Sequence, residues 1–296
     1  MESHAVNGPS SSAFHVSSGF AAARNPRPGP GALLGRIGSL EVRLAQNLDE
    51  IRAAQEIRYQ VFYEELGARR PTDSRIEKRD FDRFDDVCDH LLVLDSALPG
   101  PVEKQIVGTY RLLRQEVALE AGGFYSEDEF ELTALTQRHP GTRFLELGRS
   151  CVLPAYRGKR TIEVLWQGCW AYVNYYGIDV MTGCASFQGT VPAYHAEALS
   201  FLAHHCRAQG EWDIRAVNGR YQPMDLMPVE AVGLRSAMNA MPPLIKGYLR
   251  LGAKIGDGCV IDHEFGTIDV CIVLPVKSLD ARYVTHYSAD ATRFAA

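Results

Sequence analysis

From about residue 40 onward the apolar and polar positions divide the chain into segments of distinct period. Leu40-Glu41-Val42-Arg43-Leu44 alternates with period two and predicts a short strand. Asn47 or Asp49 then stands where a helix N-cap belongs, ahead of Ile51, Ala54, Ile57, Arg58, Val61, Phe62 and Leu66 at near-helical spacing. One helix through Glu65-Leu66 is expected. Leu91–Leu94 and Gln105–Leu113 predict a hairpin across Pro99-Gly100-Pro101, and Phe124 to Leu135 reads as an acidic surface loop or short helix. In Phe144–Leu153, strict alternation places Phe144, Glu146 and Gly148 on one face and Leu145, Leu147 and Arg149 on the other, with a bulge near Gly148 changing that register. Tyr156–Thr161 is a basic turn, and Thr161–Tyr172 has helical spacing. A strand is expected at Ile178–Phe187, a helix at Ala193–Gln209 and a last strand at Asp262–Leu274. Between them, Lys246, Arg250 and Lys254 share one helical face.

Polar residues inside these apolar patterns mark where chemistry belongs. Arg58 lies in the stripe of the first helix, either snorkelling at its edge or joined to a buried ion network. Arg111 sits within an apolar strand and needs carboxylate partners. The run Arg79 to His90 holds five aspartates interleaved with Phe81 and Phe84, so part of it is packed and some of its acids must find donors. The strand, basic turn and helix start from Phe144 to Trp166 form an anion cradle, because free backbone N–H groups and a positive dipole end converge on the turn.

Composition bounds the remainder. The chain has 296 residues, 46% hydrophobic and 23% charged, with a net charge of −5, values that fit a soluble globular protein and argue against broad nucleic-acid binding. No apolar run is long enough for a transmembrane helix, so any membrane contact is expected to be peripheral, and the cytoplasm is the default compartment for a chain whose cysteines suit reduced thiols. Seven scattered cysteines without a CxxC spacing suit reduced thiols, and His204-His205-Cys206 lacks a second ligand cluster, so no metal site is expected. Residues 1–38, rich in Gly, Pro, Ser and Ala, read as a disordered tail. Residues 39–190 read as a core, and 191–296 as an extension completing the sheet.

The order of two N-terminal strands, hairpin, strand, basic turn, helix and strand resembles the GNAT-type N-acyltransferases, which implies an α/β sandwich with a mixed, twisted central sheet. Arg58, Phe62, Asp82, Asp85, Arg111, Glu146 and Arg149 fall in order on the pattern of the acyl-homoserine-lactone synthase branch. Within that branch, ELGRSCV (146–152), YRGKRTIEVLW (156–166), GCASF (183–187), PPLIKGYLRLGAKIGDG (242–258) and DHEFGTIDV (262–270) resemble the bacterial ornithine N-acyltransferases that make lyso-ornithine lipid. The resemblance spans about residues 40 to 275. It implies transfer of a long, 3-hydroxylated acyl chain to the α-amine of L-ornithine. An acyl-homoserine-lactone synthase is the enzyme alternative, and a carrier-protein or membrane-binding module without catalysis is the other.

One departure points to the donor. GNAT enzymes that use coenzyme A generally carry further glycines in the turn, where this chain has Arg157, Gly158, Lys159 and Arg160 followed by Thr161 and Ile162. Three cations without close-approach glycines suit acyl carrier protein, which is acidic and presents one phosphodiester. No cofactor is expected beyond the phosphopantetheine that this donor carries. Cys151, Val152 and Leu153 offer backbone N–H groups to the thioester carbonyl if the strand splays there. Glu146 is the candidate base for the amine, or an ion-pair partner of Arg111 or Arg149, and Arg149 joins it as a catalytic candidate. For the acceptor, Arg58, Arg111 or Arg149 can take the carboxylate and Asp82 or Asp85 the ammonium.

Overall fold

The computed structural model describes residues 31–69 and 77–279. Nine strands form one sheet: β1 Leu33–Ile37, β2 Leu40–Leu44, β3 Asp89–Asp95, β4 Ile106–Arg114, β5 Phe144–Val152, β6 Val180–Gln188, β7 Tyr221–Gln222, β8 Lys254–Asp262 and β9 Thr267–Pro275. Their order is β1-β2-β3-β4-β5-β6-β9-β8-β7. Every pairing is antiparallel except β5 with β6, as a helical crossover between those two strands allows.

Several expectations need correction. Order begins before Leu40, because Leu33–Ile37 pairs with β2; the rest of the expected tail, residues 1–30, lies outside the described residues. The stretch 254–275 is a hairpin of two long strands and not one closing strand, and β9 lies inside the sheet between β6 and β8. Three of the nine strands therefore come from beyond residue 190 and share the sheet of the preceding six. Lys254 is the first residue of β8, since the helix Pro243–Leu251 ends at Gly252 in the left-handed conformation, so Lys254 does not share a helical face with Lys246 and Arg250.

Helices cover both faces. α1, Leu48–Tyr59, starts where Asn47 Oδ1 accepts from the Glu50 N–H at 3.0 Å and buries Ala53, Ala54 and Ile57 against Leu92, Leu94 and Ile106. It then widens into π-helical turns at Gln60–Glu65, which carry Phe62 toward Phe265, their ring centroids 5.7 Å apart. The helix Lys159–Tyr176 packs Val164, Leu165, Cys169 and Val173 on the other face, against Val42, Leu91, Leu145 and Leu147. It approaches so closely that a Cβ at Gly168 would stand 2.5 Å from Val42, so the position requires glycine.

Candidate active site

The site forms where β5 and β6 part. Their pairing covers only Phe144–Glu146 against Val180–Thr182, while β6 continues along β9 to Gln188. Beyond Glu146 the two strands therefore diverge. Gly183 holds this fork together: its φ is +145°, and a Cβ would lie 2.3 Å from the Leu147 carbonyl oxygen. On the other side of β5, Arg111 pairs with Gly148 and Thr109 with Cys151, so two β5 residues oppose Tyr110 alone. This is the bulge, and Arg149 within it has φ +53°. A left-handed arginine costs about 1–3 kcal/mol, and the return is register. Strict alternation would have separated Glu146 and Arg149; the bulge turns both into one cavity of about 240 Å³.

Glu146 is buried, with Oε2 accepting from the Tyr125 N–H at 2.7 Å and Oε1 from the Ser126 N–H at 2.8 Å and the Ser126 hydroxyl. Burial raises its pKa against these donors. The sequence expectation of an ion pair from Glu146 to Arg111 or Arg149 is not met: its partners are Tyr125 and Ser126. Both belong to the segment expected at the surface, which is instead anchored by buried Phe124, Phe130, Leu132 and Leu135.

Arg149 lies between the rings of Tyr125 and Phe265, 4.6 and 4.5 Å from their centroids. Its Nε donates to Asp80 Oδ2 and its Nη2 to Asp82 Oδ2, each at 3.2 Å. Arg58 is fully buried, donating to Asp80 Oδ2 and Asp85 Oδ1 at 2.7 Å. Arg111 donates to Asp82 Oδ1 at 2.7 Å and Asp85 Oδ2 at 3.2 Å. Three arginines and three aspartates thus balance. Arg58 and Asp85 hold each other beneath the surface, so they are not placed to touch an acceptor as the sequence reading had it. Arg111, equally buried, braces the same group, while Asp82 stays partly exposed and Arg149 reaches the cavity wall. Asp80, not singled out among the five aspartates, is the carboxylate shared by Arg58 and Arg149.

The donor side follows β5 into the turn. The Leu153 N–H is donated to the Val107 carbonyl at 2.9 Å, which removes it from the expected trio. Alternation then directs the Val152 N–H to the opposite edge, into the fork. The Cys151 thiol is buried beneath α1, its pKa pushed up to about 12 by burial, so it is no nucleophile. Gly158 is the N-cap of the helix Lys159–Tyr176, and Lys159 and Arg160 are exposed at its start. Arg157 is committed elsewhere, as a bidentate pair with Glu65 at 2.5 and 2.6 Å.

A fork between neighbouring parallel strands, a helix N-terminus at its mouth and a carboxylate on its wall define a GNAT-type acyltransferase, and residues 57–167 match the acetyltransferase (GNAT) domain. The chain is 60% identical over 266 residues to the L-ornithine N(alpha)-acyltransferase of Brucella abortus, covering 90% of this chain and 95% of that one. It is 60% identical over 261 residues to the enzyme of the same name from Agrobacterium fabrum, covering 88% and 89%. It belongs to the L-ornithine N(alpha)-acyltransferase family. Among solved structures, an N-acyl amino acid synthase from uncultured soil microbes matches with a TM-score of 0.45 and 11% identity over 80% of this chain and 91% of that one.

Proposed function

We propose that this acyltransferase moves a long acyl chain from the phosphopantetheine thioester of acyl carrier protein to the α-amine of L-ornithine, giving lyso-ornithine lipid. The observation that carries the reading is the fork itself: Glu146 and Arg149 line one cavity in a chain 60% identical to enzymes named for ornithine. Phe62, Leu66, Leu147, Leu244 and Phe265 supply its apolar lining, suited to the first carbons of an acyl chain. The amine nitrogen attacks the thioester carbon, and the oxyanion that forms is met by the Val152 N–H. Glu146, directly or through water, takes the amine proton, and collapse of the intermediate expels the thiolate, which recovers a proton. No covalent enzyme intermediate is needed.

Carrier protein as donor is supported by the exposed Lys159 and Arg160 and by the absence of further glycines in the turn. Among the described residues no helix is long and apolar enough to cross a membrane, and we place the enzyme in the cytoplasm, in peripheral contact with the inner membrane where its product partitions. Incubation with equal concentrations of acyl carrier protein and coenzyme A thioesters of the same chain, with product identified by mass, tests the assignment. The carrier thioester and ornithine should give the N-acyl product; equal kcat/KM with coenzyme A would remove the donor, and no ornithine product would remove the acceptor.

A further inference from the structure

The cavity has a second polar end that the transfer chemistry leaves unused. Asp269 on β9 lies opposite Ser186 on β6, is 6% exposed, and lines the cavity. Its Oδ1 and the neighbouring Thr267 Oγ1, both buried, have no hydrogen-bond partner among the described residues. Behind it lies Glu129, whose Oε1 accepts from Arg220 at 3.1 Å. Carboxylate oxygens of Glu129 and Asp269 and the Cys184 Sγ all lie within 4.8 Å of one another. The nearest cation to Asp269 on the cavity wall, Arg149, is already shared by Asp80 and Asp82. Burial raises the pKa of both carboxylates, with Asp269 adding to the rise at Glu129 and Asp262 to that at Asp269, against the neighbouring Ser186 and Thr267 hydroxyls and Arg149, which favour charged Asp269. This end of the cavity carries negative charge without a full counter-charge.

We infer that Asp269, backed by Glu129, binds the side-chain ammonium of the acceptor amino acid and so selects a diamino acid over its apolar isosteres. A metal ion fits less well, because burial and Glu129 keep the Cys184 thiol protonated, 3.2 Å from Glu129 Oε2 and 3.1 Å from Ser126 Oγ, and a thiol that keeps its proton is a poor ligand. An ammonium instead brings three N–H donors, enough for Asp269 Oδ1 and Thr267 Oγ1 with one to spare. Both carboxylates line the same cavity. Ser126 bonds Glu146 on one side and meets Cys184 on the other, and Cys184 Sγ lies within 4.8 Å of an Asp269 carboxylate oxygen, so one serine and one cysteine separate the carboxylate at the reacting amine from Asp269. A chain of three methylenes between the α-carbon and the terminal nitrogen holds its two nitrogens about 6 Å apart, so an α-amine at Glu146 directs the ammonium along that wall toward Asp269.

The inference rests on ornithine being the acceptor, and the test separates the two. Full-length wild type and Asp269→Asn are compared with L-ornithine and with L-norvaline, which has the same carbon skeleton without the ammonium. Wild type should prefer ornithine strongly, and Asp269→Asn should lose about 100-fold or more in kcat/KM for ornithine, bringing the ratio of the two amino acids toward one. Asp269→Glu keeps the charge but reaches one methylene further, so it should favour L-2,4-diaminobutyrate over ornithine. Folding is followed by thermal melting without ligand, where Asp269→Asn should match or exceed wild type because a charged group leaves a buried site. A large drop in melting temperature assigns Asp269 a structural role and overturns the inference. An unchanged ornithine-to-norvaline ratio in folded Asp269→Asn overturns it alone, whereas wild type inert toward ornithine overturns the acceptor assignment along with it.

Discussion

Two buried groups of charges flank the same cavity and are built on opposite principles. At one end Arg58, Arg111 and Arg149 meet Asp80, Asp82 and Asp85 in a one-to-one balance of ion pairs. Burial alone would raise Asp85, yet Arg58 and Arg111 hold it at about 2. At the other end carboxylate oxygens of Glu129 and Asp269 lie within 4.8 Å of each other, Glu129 is paired with Arg220, Asp269 has no ion pair among the described residues, and both carboxyls are pushed up. Desolvation acts on both; what differs is the counter-charge. A balanced group needs no further charge, even with Arg58 Nη1 and Arg111 Nη2 left without hydrogen-bond partners among the described residues, and it serves to hold Arg149 in its strained place. An unbalanced one is stable only with a proton or a bound cation, which makes it the end that is open to a ligand.

Glu146, between the two, should give the largest effect. Glu146→Gln removes the base, so kcat should fall about 10²–10⁴-fold, with the residual rate rising with pH as more free amine becomes neutral. The variant is not isosteric in hydrogen bonding, because a glutamine NH₂ would face the Tyr125 or Ser126 N–H, at a cost of about 1–3 kcal/mol. Single-turnover rates on folded protein separate the two losses. Full kcat with the wild-type pH profile would assign Glu146 to holding the Tyr125 segment alone.

Arg58→Ala comes next and tests the balanced end. It takes from buried Asp85 its first partner and from Asp80 one of two, so stability in urea should fall by about 3–5 kcal/mol, whereas Asp269→Asn should lose none. Equal losses at the two ends would erase the distinction between them. A smaller effect follows from acid. The folded pKa of Asp85 is lowered, so its contribution is fully present above the unfolded value near 4 and is lost as pH falls through about 2. The contribution is about 2 kcal/mol, and acid titration of wild type against Asp85→Asn should show the wild type losing that advantage between about pH 4 and 2. The unbalanced end has the opposite sign: carboxylates with raised pKa favour the folded state at low pH and oppose it as they ionise, so Asp269→Asn should flatten the decline of stability from acid toward neutral pH.

How much of this was legible depended on whether a residue broke a pattern. Arg58 and Arg111 did, as charges within apolar periods, and they led to the balanced end. Asp269 broke one too, a lone aspartate in Ile268–Leu274, but that stretch was read only as a closing strand, and pairing with β6 was needed to bring it to the cavity. Asp80 could not stand out in a run of five aspartates, since only packing tells a buried carboxylate from a solvated one. Tyr125 and Ser126 were masked by the acids around them, although Phe124, Phe130, Leu132 and Leu135 were a signal of burial. The bulge was legible as a possibility at Gly148, but its place at Arg149 depends on a two-against-one pairing with β4 that no local pattern encodes.

The smallest effect belongs to charges outside both groups. Lys159 and Arg160 are exposed and act on a partner through a field, not through a fixed geometry, so each is worth a fraction of a kcal/mol to about 1 kcal/mol. Arg157 is left out of the test because reversing it would also break its pair with Glu65. The double variant Lys159→Glu, Arg160→Glu should raise KM for the acyl carrier protein thioester about 3- to 10-fold at low ionic strength while kcat stays near wild type. Because the Debye length falls from about 10 Å at 0.1 M to 3 Å at 1 M, the gap should close as salt is added. Losses at Arg58 or Asp269, where the charges are buried, should persist through the same titration. A salt-independent rise in KM for the double variant would mean that the helix start, and not its field, had been damaged, and no rise at all would move carrier docking to another face.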